Sequence, residues 1–146
     1  MSDFLYSAPS TPVDILTASL NSLVNDAITN ASSSFVLDNT TNRHPFANFY
    51  FEFGSAQNLS SSLNPAVIIY LIPLHEQTGT TYPGETEQHA AARCSFEETS
   101  NQLVANAVQI PIGPFKYAVV LRNKTDVTFP ASGNTLSAST HTGGTP

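Results

Sequence analysis

The sequence predicts an all-β fold: an antiparallel β-sandwich, jelly-roll-like, with about eight short strands and an extended N-terminal arm. Three observations carry that expectation. Apolar and polar residues alternate over short stretches, as in Ala47, Phe49, Phe51, Phe53 and again in Phe115, Tyr117, Val119, Leu121. Turn-forming clusters separate those stretches, such as Pro111-Ile112-Gly113-Pro114 and Ser132-Gly133-Asn134. The chain is also long enough for one real core, with 146 residues, 40% of them hydrophobic and including 9 Phe.

Taken in order, residues 1–14 read as an arm. Ser7-Ala8-Pro9-Ser10-Thr11-Pro12 holds two prolines, which fix φ and favour extended chain. Phe4, Leu5 and Tyr6 near its tip suit docking against a neighbour. The domain proper is expected over 15–141. Its first segment, 15–30, is ambiguous. Ile15, Leu16, Leu20, Leu23, Val24 and Ile28 have helix-like spacing, yet Asn21, Asn25, Asp26 and Asn30 punctuate the stretch. Asn25-Asp26 reads as a hairpin turn between strands near 16–23 and 28–36, and the β-like flanks favour strands over helix.

The later elements are clearer. Phe46–Phe53 is a strand with one apolar face, followed by a Ser-rich loop over Gly54–Asn64. Ala66–Pro73 is almost continuously apolar, which suits a strand buried on both faces, and Pro73 ends it. Leu74–Ala92 is a long polar connection, of the kind that is usually functional or mobile. Cys94–Glu97, Leu103–Ile110, a strand from Phe115 and Leu136–His141 complete the set. Residues 142–146, with Gly143-Gly144, read as a flexible tail.

Charge narrows the function. The chain carries −6 overall with only 5 Lys+Arg, namely Arg43, Arg93, Lys116, Arg122 and Lys124. That is too few for a stripe that neutralises a phosphate backbone, so no nucleic-acid or membrane partner is expected. No secretion signal and no apolar run of about 20 residues are seen. Cys94 is the sole cysteine, so no intrachain disulfide forms, and it reads as a small buried residue.

Catalytic patterns do not overlie the strands. His44, His75, His89 and His141 lack the spacing of zinc ligands and read as solvated loop residues. Glu97-Glu98 would point to opposite faces of a strand. Asp38-Asn39 with Asn42 is a faint calcium candidate better read as a turn. No Gly-x-Ser-x-Gly elbow, Walker sequence or dinucleotide fingerprint occurs. The expectation is a non-enzyme with no cofactor and no metal. Sequons beginning at Asn30, Asn39, Asn58 and Asn123 are what chance gives a chain this rich in Ser and Thr. Tyr6, Tyr50 and Tyr82 are the aromatics that would stack on a sugar, although packing or protein contact is the stronger reading of them.

The chain resembles small virion structural proteins of tailed bacteriophages, β-sandwich proteins of the head-decoration or cement type. The resemblance rests on Thr17–Leu23, Leu37-Asp38-Asn39-Thr40-Thr41-Asn42, Phe46-Ala47-Asn48-Phe49 and Val67–Pro73. Gly79–Tyr82, Leu121-Arg122-Asn123-Lys124-Thr125 and Ala131–Leu136 complete it. These are turn-and-strand signatures spanning most of 16–140. What the resemblance implies is a capsid decoration (cement) protein, made in a bacterial cytoplasm and carried on the head surface of the virion. Its partner would be the major capsid protein, between capsomers, and it would be a homo-oligomer, with trimers suited to threefold sites. Phe4, Leu5, Tyr6 and Tyr82 are the expected contact residues. The alternative is a tail- or fibre-associated module that binds a carbohydrate receptor through Tyr82 and its loop.

Overall fold

The computed structural model describes residues 10–29, 36–74 and 90–142. Within them lie eight strands: β1 (Val13–Leu16), β2 (Val36–Asp38), β3 (Phe46–Gln57), β4 (Ala66–Pro73), β5 (Ala90–Ser95), β6 (Gln102–Pro111), β7 (Lys116–Lys124) and β8 (Thr135–His141). A 3-10 turn, Ala18–Leu20, follows β1.

All pairings are antiparallel and they nest. β1 pairs with β8, β2 with β7, β3 with β6 and β4 with β5. This is one long double-stranded hairpin closed at the β4–β5 end. Wrapping it brings β8 beside β3 and β7 beside β4. The result is two four-stranded sheets, β1-β8-β3-β6 and β2-β7-β4-β5. That order is the jelly roll, in agreement with the expectation from strand number and turn spacing.

The period-2 pattern decides what fills the space between the sheets. Phe49, Phe51 and Phe53 of β3 face Val67, Ile69 and Leu71 of β4 and Val119 and Leu121 of β7 in one buried cluster. Phe51, Phe53, Phe96 and Phe129 form an aromatic knot at one end, with ring centroids 4.9 Å apart for Phe51–Phe53 and 5.0 Å for Phe53–Phe96. The first pair meets edge-on, the arrangement ring quadrupoles favour. The nearly continuous apolar run of β4 has its predicted reason. Its alternate residues Tyr70 and Ile72 join Ala118 and Val120 in a second buried cluster on the outer face of that sheet.

Several expectations need correction. Residues 15–29 form neither a helix nor the strand expected near 16–23, and most of the second strand expected over 28–36 lies outside the described residues. Ile15 and Leu16 end β1, the 3-10 turn buries Leu20, and Asn25-Asp26 is a turn as expected. The chain then runs along the edge of β7. The Asp26 and Thr29 N–H groups donate to the carbonyls of Asn123 and Leu121, and Ile28 bridges Arg122. The helix-like apolar spacing comes from turns, not from 3.6-residue winding. At the N-terminus, β1 already begins at Val13, inside the stretch read as an arm. β3 runs on through Gln57, where a loop was expected from Gly54. Small exposed side chains hide that continuation, because nothing apolar marks its inner face. β5 begins at Ala90, inside the expected connection.

Candidate functional site

The four residues expected to make contacts, Phe4, Leu5, Tyr6 and Tyr82, lie outside the described residues, as do His75 and His89. Among the described residues no group of three or more His, Cys, Asp and Glu side chains is placed to hold a metal ion.

The two described histidines are structural. His141 is buried on β8, contrary to the reading of a solvated loop residue. Its Nε2 lies 3.1 Å from Asn48 Oδ1 and its ring stacks on Phe46 at 5.7 Å. His44 is half-buried, with Nδ1 2.8 Å from Thr140 Oγ1. The preceding turn closes on itself. Asp38 Oδ1 accepts from the Thr40 N–H and hydroxyl, and those bonds, with Lys116 nearby, hold the Asp38 carboxyl below its ordinary pKa. Asn39 is fully buried and donates to the carbonyls of His44 and Gly113. Its Oδ1 accepts the His44 N–H, so the amide both closes the turn and ties it to the loop at Gly113. Cys94 is fully buried between the sheets, and burial pushes its thiol up to about 12, so it stays protonated and unreactive.

Sequence reasoning missed a basic basin on the outer face of β2-β7-β4-β5. Ile68 pairs with Arg93 on one side and Arg122 on the other, so two guanidinium groups flank it in one row. Two residues on, Ala66 pairs with Ser95 and Lys124. The basin holds about 370 Å³ and is lined by Ile68, Tyr70, Ala90, Arg93, Arg122 and Lys124. Three of the chain's five cations thus share one wall of a protein of net charge −6. Asp26 at the rim binds Lys124 and lies 3.5 Å from Arg122, and the Lys124 bond above all lowers its carboxyl pKa. Arg93 is steadied by Nη donation to the Asn64 carbonyl and Nε donation to Ser95 Oγ. The signal was present in outline: Arg122 and Lys124 are two apart on one strand and must share a face. That Arg93 joins them is a matter of sheet order, which local spacing does not give.

A second cleft of about 320 Å³ opens where β1 and β2 diverge, lined by Val13, Ile15 and Leu37 with Asp38 and Ser139. Ser139 Oγ is buried there and has no hydrogen-bond partner among the described residues.

The remaining feature is the outer face of β1-β8-β3-β6. Asp14, Ser137, Tyr50 and Asn106 form one row across all four strands, with Asp14 Oδ1 accepting from Ser137 Oγ. Thr135, Glu52 and Val104 form the next. Hydroxyls, amides and carboxylates dominate until β6, where Val104 and Val108 stand 56% exposed. The chain matches no family model, no curated protein and no solved structure.

Proposed function

We propose that this protein is a non-enzymatic structural component of a phage virion, a capsid decoration protein that binds the outer surface of the head between capsomers and stabilises it. The nested strand pairing carries the reading most directly, since the two-sheet jelly roll is an architecture that viral capsid domains use. The chemistry of the described residues is compatible with it. The described histidines and the lone thiol are tied up in packing and turn closure, so they support rigidity and not turnover. A rigid sandwich with flat outer faces can repeat the same modest contact at every equivalent site of a closed shell, and repetition multiplies its effect. Binding the mature shell in preference to its precursor would stabilise the former by mass action.

The basic basin favours a second reading, a tail- or fibre-associated module that binds a carbohydrate receptor. Lectin domains share the architecture, and the Arg93, Arg122 and Lys124 wall would select an acidic sugar over a neutral one.

One measurement separates the two. Quantitative mass spectrometry of purified particles should give a copy number comparable to that of the major capsid protein. A handful of copies per particle would replace the decoration reading with the receptor-binding one, and absence from particles would overturn both.

A further inference from the structure

A jelly roll has four sheet edges, and here they are not alike. β1 and β2 are edge strands of 4 and 3 residues. β5 has 6 residues and carries Arg93 at its middle. β6 runs for 10 residues, Gln102–Pro111, without a single charged side chain. Among the described residues it is bonded to β3 on one side only. Natural sheets blunt long edges with lysines, prolines or bulges, because an open row of N–H and C=O groups templates further pairing. On β6 a bulge comes late: Val108 and Gln109 together oppose Asn48, whose Oδ1 accepts the Gln109 N–H, and Gln109 sits at φ 55°. Pro111 closes the strand. A second register shift lies beside Leu103, and the stretch Val104–Ala107 between the two has neither a break nor a charge.

We propose that β6 is a self-association edge, pairing antiparallel with β6 of a second copy to join two four-stranded sheets into one of eight. The occupant follows from the chemistry. An open strand edge is completed by another extended backbone, and an antiparallel pair of identical strands is two-fold symmetric by construction, so the contact closes at a dimer. Charge favours the same place: β1 carries Asp14, β2 Asp38 and β5 Arg93, like charges that a two-fold pairing would bring towards their own copies, whereas β6 carries none. The exposed Val104 and Val108 would then be covered on the outer face, where β-branched cross-strand pairs add to the backbone bonds. This inference does not rest on the virion reading, and either stands if the other fails.

The test uses the full chain in solution. Light scattering across micromolar to sub-millimolar concentrations should show mass rising from 15.6 kDa to twice that value. Hydrogen–deuterium exchange should show amides of 103–107 gaining protection over the same range. A Val104→Lys, Val108→Lys variant should stay monomeric with an unchanged circular dichroism spectrum, both positions being exposed. Three results would overturn the proposal: a monomer at every concentration, a dimer whose β6 amides gain no protection, or a lysine variant that dimerises as the parent does.

Discussion

Asn123 shows how individual residues hold this molecule together. It is fully buried near the end of β7, and all its side-chain bonding capacity is used. Nδ2 donates to the Leu23 and Val127 carbonyls at 2.9 and 2.8 Å, while Oδ1 accepts the Thr125 N–H and hydroxyl. Asn134 works the same way, donating to Asn21 Oδ1 and the Pro130 carbonyl and accepting the Gly54 N–H. Asn39 does so for the His44 and Gly113 carbonyls. Each amide supplies donors to carbonyls in loops far apart in sequence, so that buried backbone groups outside the ladders are not orphaned. These residues are legible in sequence as turn formers, but nothing local says that they are buried cross-links. Their burial also puts Asn39 and Asn123, both heads of sequons, out of reach of a glycosyltransferase in the folded protein. Asn123→Ala leaves the Thr125 N–H without its partner in the interior and takes one hydrogen bond from each of the Leu23 and Val127 carbonyls, which keep the Phe129 N–H and the Thr125 hydroxyl. With one group stranded and two carbonyls each short of a bond, the loss should be about 2 kcal/mol. Urea unfolding of the variant beside Asn25→Ala, an exposed turn position, measures it. Equal midpoints for the two would show that the Asn123 bonds contribute nothing net.

At the scale of elements, what could be read in advance depended on where the information lies. β3 and β4 were legible because burial writes a period of two, or a continuous apolar run, directly into the residues. The segment from Ile15 to Thr29 was not, since Leu16 ends a strand while Leu20 and Leu23 reach the core through turns, and together their spacing imitates a helix. The basin and the open edge were illegible for another reason. Arg93 meets Arg122 across Ile68, and β6 ends up outermost, by pairings between strands distant in the chain. The continuation of β3 past Phe53 depends on one such non-local contact. Gly54 lies against the turn that leads into β8, and a Cβ there would sit 1.8 Å from the Ser132 carbonyl oxygen. The opposing Gly133 has φ +80°, a conformation a side chain would strain. Two backbones therefore touch where side chains would hold them apart. Gly54→Ala must push the turn off the strand, at a cost of about 2–3 kcal/mol by the usual toll of overpacking. Thermal unfolding should register this as a clear fall in Tm, with the circular dichroism spectrum still that of a β protein. An unchanged Tm would mean that the turn yields freely.

For the whole molecule, the decisive fact is that the first strand pairs with the last. Val13 lies opposite Ala138 and Leu16 opposite Leu136, so β1 has no partner until β8 is in place. β8 in turn lies between β1 and β3, supplying a full ladder to β3 from Phe46↔His141 to Glu52↔Thr135. The nested hairpin makes nearly every pairing long-range except β4 with β5, and the loop entropy of those closures must be met before the contacts repay it. Folding should begin near the β4–β5 closure and finish with β1 and β8, in the range of milliseconds to seconds typical of β-sandwiches. A chain ending at Asn134 tests this directly. It keeps most of the phenylalanine core but strips β1 of its only partner and opens β3 along one edge. It should show no cooperative thermal transition and should bind a hydrophobic dye, whereas the full chain melts in one step. A cooperative transition in the truncated chain would show that the β2-β7-β4-β5 sheet with β3 and β6 is self-sufficient, and that closure by the terminal strands is an addition to the fold and not its condition.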